Sequence, residues 1–249
     1  MERKGGKKDL LKEIQVLDLA DEKASFCSKL LADLGARVVK IERPGGDPSR
    51  WKGPFWGDSP HPERSLFFCH NNTNKLGVTL NLEHREGKEI FLRLVERTDI
   101  VVESFPVGYL KKVELDFERL ISRNPRLILA SVTGFGQDGP RSEYKSNDLV
   151  ASAFGGQMCI SGSISTPPLK PAGEQSYYTA SLFAAIGVLL AFRKRARSGK
   201  GEHIDVSLQE SVVSTLDHVM VRYFYEKAVP QRQGSLYWNN AFCILPCSE

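Results

Sequence analysis

Short apolar runs along the chain alternate with longer stretches in which apolar residues recur at every third or fourth position. The short runs predict strands at residues 14–19, 37–41, 78–82, 100–103 and 127–132, and the helical spacing predicts helices at 24–34, 84–97 and 115–122. Strands that alternate with helices are typical of parallel crossover units. The pattern therefore predicts an α/β fold built on a Rossmann-like, doubly wound parallel sheet.

The second half of the chain opens with a glycine-rich turn, Gly134 to Pro140, directly after a predicted strand. Helices are predicted at 147–153, 177–195 and 208–223, with one more strand at 204–207. Residues 239–249 end on strand-like residues with no helix to close them. We therefore expect one large domain whose closing part lies outside this sequence.

Composition and charge narrow the function classes. The chain has 249 residues and a formal net charge of +4, and its basic residues are not interleaved with aromatic residues as in nucleic-acid-binding surfaces. The longest apolar segment, 180–192, is shorter than the roughly 20 residues that span a bilayer. The charged N-terminus is not followed by an apolar stretch of signal-peptide length, and the five cysteines are mostly far apart. We expect a cytoplasmic protein with reduced thiols that binds neither nucleic acid nor membrane.

Several chemical motifs are missing from the sequence. It has no GxGxxG or Walker loop, which disfavours the common dinucleotide and nucleoside triphosphate sites. It has no GxSxG elbow, and its five histidines are scattered without an HExxH pair. We therefore predict no metal site and no permanently bound cofactor.

Five segments, in order, resemble the class III coenzyme A (CoA) transferases, the CaiB/BaiF type that includes formyl-CoA and carnitine CoA-transferases. They are LLADLGA running into VVKIERPGGDP at 30–48, NTNK with VTL at 72–80, DIVVE at 99–103, NPRL through TGFGQDGP at 124–140, and RSGKGEHIDVSL at 197–208. The resemblance covers about residues 13–215. It implies a large domain at 13–215, after a flexible leader at 1–12 and before a linker at 216–249 that leads toward a small domain largely absent from this sequence.

The resemblance also implies an activity, the movement of CoA between an acyl-CoA thioester and a free carboxylic acid. CoA or acyl-CoA is then a substrate, with phosphates that suit arginine, lysine or backbone N–H groups. The positions that match the family's CoA contacts are Arg43, Asn74, Lys75, Phe105, Gly134, Gly136 and Gln137. The glycines of the 134–139 turn would let backbone approach a ligand closely.

The position of the catalytic residue departs from the family pattern. In the family an aspartate attacks the thioester as a nucleophile, and counting back from Gly187 places Tyr177 at that position. The nearest carboxylate is Glu174, which is our candidate catalytic residue. The related α-methylacyl-CoA racemases carry a histidine where this chain has Asn147, so racemisation lacks its base.

Three functions remain open at this point. The first is an active CoA-transferase. The alternative is a non-catalytic scaffold subunit of a heteromeric CoA-transferase whose partner supplies the aspartate. The third is a truncated product without activity of its own. The resemblance further implies a homodimer, or a heterodimer with a homologous chain.

Overall fold

The computed structural model describes residues 10–234, which form a single parallel sheet with helices on both faces. The strands are β1 (Gln15–Asp18), β2 (Arg37–Glu42), β3 (Lys75–Thr79), β4 (Ile100–Glu103), β5 (Ile128–Thr133) and β6 (Glu202–Ser207). The helices are α1 (Ser25–Asp33), α2 (Leu66–Asn71), α3 (Arg85–Val95), α4 (Tyr109–Lys112), α5 (Phe117–Arg123), α6 (Asp148–Phe154), α7 (Gln157–Ile160), α8 (Gln175–Ser198), α9 (Leu208–Val213) and α10 (Asp217–Glu226).

The strand order is β3-β2-β1-β4-β5-β6, with every neighbouring pair parallel. The predicted doubly wound parallel sheet is confirmed. The order reverses between β1 and β4, which is the switch point where such sheets place their ligands.

Alternate residues of each strand point to opposite sides of the sheet, so the protein has two apolar cores. One core lies under α1 and α8 and includes Val16, Ile100 and Val132. The other lies under α3 and α5 and includes Leu17 and Val101. Strands buried on both faces explain the continuous apolar runs in the sequence.

Several elements differ from the sequence prediction. The strand expected at 78–82 begins earlier, at Lys75, and the single helix expected at 208–223 is two helices, α9 and α10. The short helices α2, α4 and α7 were not predicted. The strand-like residues 239–249 lie outside the described residues, whereas α10 falls within the predicted linker 216–249.

Helix α8 is the longest helix in residues 10–234, with 24 residues. By length and composition alone it could cross a membrane, as many core helices of soluble proteins could. One side of α8, which includes Ala180, Ala184 and Val188, is buried against α1, β5 and β6. It therefore serves here as a core helix that fixes the position of its own N-terminal residues, Ser176 and Tyr177.

Candidate functional site

A cleft of about 530 Å³ opens at the carboxyl ends of β1, β2, β3 and β4. Its walls come from the residues that follow these strands: Leu19 and Asp21 after β1; Glu42, Arg43, Pro44, Asp47 and Pro48 around the end of β2; Leu80 to Glu83 after β3; and Ser104 to Pro106 with Tyr109 after β4. The cleft includes the switch point between β1 and β4, where an open α/β sheet binds ligands.

One side of the cleft is apolar and aromatic. The Phe105 and Tyr109 rings lie 4.5 Å apart between centroids, and Leu80 and Leu82 line the same cleft. Gly108 adopts a left-handed conformation, with φ +81°, and lets the chain turn from Phe105 into α4. We call these four side chains, Phe105, Tyr109, Leu80 and Leu82, the apolar wall. Aromatic and aliphatic side chains of this kind suit contact with a planar ring.

The other side of the cleft is charged. Glu42 and Asp47 line it, and each forms an ion pair within the protein: Arg50 lies 2.6 Å from Glu42, and Lys40 lies 2.7 Å from Asp47. Arg43 is exposed, and its Nε donates only a long hydrogen bond of 3.4 Å to Gly46 O. Within residues 10–234, Arg43 makes no ion pair. Its guanidinium is therefore available to an anionic ligand.

Behind the cleft lies a buried group of two acids and two lysines, which we call the charge cluster: Asp18, Lys40, Asp47 and Lys75. The Lys75 ammonium lies 2.8 Å from Asp18 Oδ2, and the two side chains are 1% and 0% exposed. Lys75 also donates to Ser25 O, at 2.8 Å. Burial alone would raise the pKa of Asp18, but Lys75 and Lys40 outweigh it and hold that pKa below its ordinary value. The cluster joins β1, β2 and β3 beneath α1.

The structure separates the residues predicted to contact CoA into three places. Arg43 and Phe105 line the cleft. Lys75 is buried in the charge cluster at the amino end of β3, and Asn74 beside it donates to Asp33 Oδ1 at 2.7 Å. These two residues face the protein's own carboxylates and do not line the cleft.

Gly134, Gly136 and Gln137 form a turn after β5, outside the lining of the cleft. A Cβ at Gly134 would come within 2.4 Å of Ser146 Cβ, so this glycine accommodates a close approach by the chain itself. The Gln137 N–H donates to Asp205 Oδ2 at 2.8 Å. The turn therefore contacts Ser146 and Asp205 of the same chain and does not line the cleft.

Asp21, Asn81, Glu83, Ser104 and Tyr109 line the cleft but were not identified from the sequence. Each follows a strand, and that position is the signal that could have found them. Asp21 accepts a hydrogen bond of 2.7 Å from Ser104 Oγ, which ties the end of β1 to the end of β4.

Tyr177, at the position expected for the catalytic aspartate, is 4% exposed. Its phenol oxygen accepts a hydrogen bond of 3.1 Å from the backbone N–H of Asp148, at the start of α6. In return, Asp148 accepts from the backbone N–H and the hydroxyl of Ser176, at 2.9 and 2.6 Å. The first turns of α6 and α8 thus cap each other. Burial raises the pKa of the Tyr177 phenol, so the group is a neutral hydrogen-bonding partner.

Glu174 lies at the N-terminal boundary of α8, one helical turn before Tyr177. Its carboxylate lies 3.0 Å from Lys52 Nζ, and Glu22 lies 4.0 Å from the same ammonium. The Lys52 ammonium also lies 5.5 Å from the centroid of the Tyr177 ring. Glu22 directly follows Asp21 of the cleft, whereas Glu174, Lys52 and Glu22 themselves lie outside its lining.

Residues 10–234 contain no group of three or more histidine, cysteine or acidic side chains arranged to hold a metal ion.

Comparisons with known proteins identify the family that this chain resembles. A family model described as CoA-transferase family III matches residues 11–248. The chain is 40% identical over 231 residues to succinyl-CoA:mesaconate CoA-transferase of Haloarcula marismortui, which covers 90% of this chain and 58% of that protein. It is 34% identical to subunit BbsE of succinyl-CoA:(R)-benzylsuccinate CoA-transferase of Thauera aromatica, covering 94% of this chain and 57% of that subunit.

Among solved structures, a CaiB/BaiF family protein from Brucella suis superimposes with a TM-score of 0.85 at 33% identity. The match covers 90% of this chain and 60% of that structure. The chain thus spans somewhat more than half the length of the proteins it matches.

Proposed function

The chain belongs to CoA-transferase family III, and from that premise we propose that the protein transfers CoA between an acyl-CoA thioester and a free carboxylic acid, with its cleft as the CoA site. One observation carries the proposal: Arg43, which makes no ion pair, and the apolar wall line the same cleft at the switch point of the sheet. CoA offers both complements, because it has a planar adenine and several phosphate charges. Its adenine would lie on the Phe105–Tyr109 side of the cleft, with a phosphate at Arg43.

The acidic side chains of the cleft are compatible with an anionic ligand. Glu42 and Asp47 each have a cation within 2.7 Å, so their charges are compensated before a ligand arrives. The Glu83 carboxylate accepts a hydrogen bond of 3.2 Å from the Tyr109 hydroxyl. It lies where a neutral donor, such as the amino group of adenine, would find an acceptor.

For the covalent step we propose Glu174 as the attacking carboxylate. Its attack on the thioester carbonyl would form a mixed anhydride and release CoA thiolate. The thiolate would then attack the glutamyl carbonyl and release the original acyl group as a carboxylate. Support comes from the ion pair of Glu174 with Lys52, whose ammonium also lies 5.5 Å from the ring of Tyr177 at the family's aspartate position. Tyr177 is less suited, because its oxygen is buried and accepts the Asp148 N–H.

The acyl donor we propose to test first is succinyl-CoA, which appears in the names of both curated relatives described above. The acid acceptor would be a dicarboxylic acid or an acid that carries an aromatic ring, by the same analogy. We further propose that the protein acts as a homodimer or as a heterodimer with a homologous chain, and that it is cytoplasmic. One relative is itself named as a subunit, and Cys27, Cys69 and Cys159 are free thiols.

The experiment is an exchange assay on the full-length protein, with succinyl-CoA and a panel of carboxylic acids, followed by chromatography of the new CoA thioesters. We expect turnover by the unaltered protein and its loss in Glu174→Gln. Glu143→Gln, an exposed glutamate in a turn outside the lining of the cleft, is the matched control and should retain turnover. A glutamyl-CoA adduct on the peptide that contains Glu174 would identify the nucleophile directly.

A second variant tests the alternative, a scaffold subunit that depends on a partner's aspartate, which gains no support from the comparisons. Tyr177→Asp places a carboxylate in the first turn of α8, where the helix N–H groups stabilise an anion. If the unaltered protein is inactive with every acid and Tyr177→Asp is active, Glu174 is not the nucleophile. If the protein does not bind CoA at all, the assignment of the cleft is wrong.

A further inference from the structure

The Lys52 ammonium lies between two carboxylates and two aromatic rings. It is 3.0 Å from Glu174 Oε1 and 4.0 Å from Glu22 Oε1. The ring centroids of Phe67 and Tyr177 lie 4.6 and 5.5 Å from the same nitrogen, and such rings attract a cation. The lysine side chain is 28% exposed. The ammonium is therefore held on several sides while the side chain stays partly open to solvent.

The backbone of Lys52 is anchored at two points. Its N–H donates to Ser49 O at 3.1 Å, at the end of the short helical turn Pro48–Trp51. Its carbonyl oxygen accepts a hydrogen bond from the hydroxyl of Ser65, a residue that is 1% exposed. The side chain thus starts from a fixed point, and its ammonium can change partners without movement of the loop.

The charges around Lys52 do not balance in the free protein. Glu174 and Glu22 supply two carboxylates for one ammonium, so a third carboxylate would meet net repulsion there. The proposed reaction changes this count. Once Glu174 carries CoA as a thioester, its side chain is neutral and no longer compensates Lys52. The ammonium then keeps only the more distant Glu22 and can accept one new anion.

The reaction itself supplies an anion at this step, the carboxylate of the acid substrate. One of its oxygens attacks the glutamyl carbonyl carbon, the C–S bond breaks, and the electron pair leaves with the CoA thiolate. The thiolate then attacks the carbonyl carbon of the acid, the C–O bond to Glu174 breaks, and the Glu174 carboxylate is restored. Lys52 lies within hydrogen-bond distance of Glu174, so an acid bound to Lys52 is beside the carbon it attacks.

We propose that Lys52 exchanges partners during the reaction: it pairs with Glu174 in the free protein and binds the carboxylate of the acid substrate once Glu174 carries CoA. This inference rests on the proposed nucleophile, Glu174. The exchange orders the two halves of the reaction, because the acid finds its cation only after CoA has been loaded. The restored Glu174 carboxylate pairs with Lys52 again when the new thioester leaves.

Calorimetric titration of the full-length protein with succinate tests the exchange without turnover. Glu174→Gln keeps the size of the side chain and removes its charge, as the thioester does. We expect succinate to bind Glu174→Gln at least about tenfold more tightly than the unaltered protein. Lys52→Met in the Glu174→Gln background should abolish this gain, whereas Lys52→Arg, which keeps the cation, should retain most of it. Equal affinity of Glu174→Gln and the unaltered protein for succinate would overturn the proposal.

Single-turnover kinetics test the same exchange on the loaded protein. The protein is incubated with succinyl-CoA, freed of small molecules by gel filtration and mixed with increasing concentrations of succinate. Lys52→Met should raise the half-saturating succinate concentration by about 10- to 150-fold, and Lys52→Arg should restore most of the affinity. A lysine that only orients Glu174 would instead slow the loading step and leave the half-saturating concentration unchanged. That result would overturn the proposal.

Lys200→Met is the matched control for both measurements. Lys200 is exposed in the turn before β6, at the amino end of the parallel sheet and opposite the cleft, so this variant should behave like the unaltered protein. Failure of the proposed nucleophile gives a different result, because no Glu174–CoA adduct would then form from succinyl-CoA in any variant, and the premise of the exchange would be lost. The exchange fails alone when the adduct forms and the succinate affinity is insensitive to Lys52.

Discussion

Replacement of Lys75 by methionine distinguishes a lysine that stabilises the fold from one that binds CoA. The sequence resemblance predicts a CoA contact at Lys75, whereas the structure places its ammonium 2.8 Å from Asp18 in the charge cluster. Methionine keeps most of the volume of the lysine stem but leaves the Asp18 carboxylate buried without its nearest cation. Loss of one partner of a buried pair costs about 3 to 5 kcal/mol.

The cost should lie at the lower end of this range, because the neighbouring Lys40 also attracts Asp18 and remains in the variant. We therefore expect the free energy of unfolding to fall by about 3 kcal/mol, measured by urea denaturation of the full-length protein. Lys88→Met is the matched control, since Lys88 pairs with Glu114 at the surface, where such a pair contributes about 0 to 1 kcal/mol. In Asp18→Asn/Lys75→Met the two losses should not add, because the partners act as a pair.

CoA titration of the same variants tests whether Lys75 contacts the ligand instead. Lys75 does not line the cleft, so Lys75→Met should change the affinity for CoA by less than about threefold where the protein is folded. If Lys75→Met unfolds like the unaltered protein while CoA binding weakens by about tenfold or more, Lys75 contacts the ligand. The structural assignment of the charge cluster would then be wrong.

Three further predictions concern the cleft and its supports. Arg43→Gln should weaken CoA binding by about 10- to 150-fold in calorimetric titration, because a charge-assisted hydrogen bond to phosphate contributes about 1.5 to 3 kcal/mol. An equal effect from the exposed Arg64→Gln would contradict a specific contact. Tyr177→Phe leaves the Asp148 N–H without its acceptor, so thermal unfolding should show a loss of about 1 to 2 kcal/mol, and an unchanged melting temperature would refute the mutual capping of α6 and α8. Burial raises the pKa of Glu103 to about 7, against 4.5 for an ordinary glutamate. The free energy of unfolding should therefore fall by about 3 kcal/mol as the pH rises from about 4.5 to about 7. Glu103→Gln should remove that loss, and the same pH slope in both proteins would show that another group causes it.

The doubly wound parallel sheet could be predicted from the sequence because the central strands β1, β4 and β5 are rich in apolar residues. The predicted bounds 100–103 match β4, and the predicted helix 84–97 contains α3. The pattern fails where polar residues begin an element. Lys75 follows a run of asparagines and reads as loop, yet it starts β3 because its ammonium is satisfied by Asp18 across the sheet. Only tertiary structure supplies that partner.

The candidate site could be predicted in part for the same reason. Arg43 and Phe105 follow strands directly, so the topology places both in the cleft. The contact of Ser131 with His203 depends on the register of β5 and β6, which lie far apart in sequence, and no local pattern encodes that register. The position of Tyr177 was identified from spacing, but its hydrogen bond to the Asp148 N–H required the packing of α8 against α6.

The lining of the cleft has a consequence for how the protein folds. Its walls come from segments between residues 19 and 109 that meet only when β1, β2, β3 and β4 are all in place. Contacts between segments so distant in sequence form late, because long loops must close first. A bound CoA would therefore report completion of this half of the sheet, and at about 100 times its Kd it would add about 2.7 kcal/mol to the stability of the folded chain. Proteolysis of this half of the protein should then be slower with CoA present than without it.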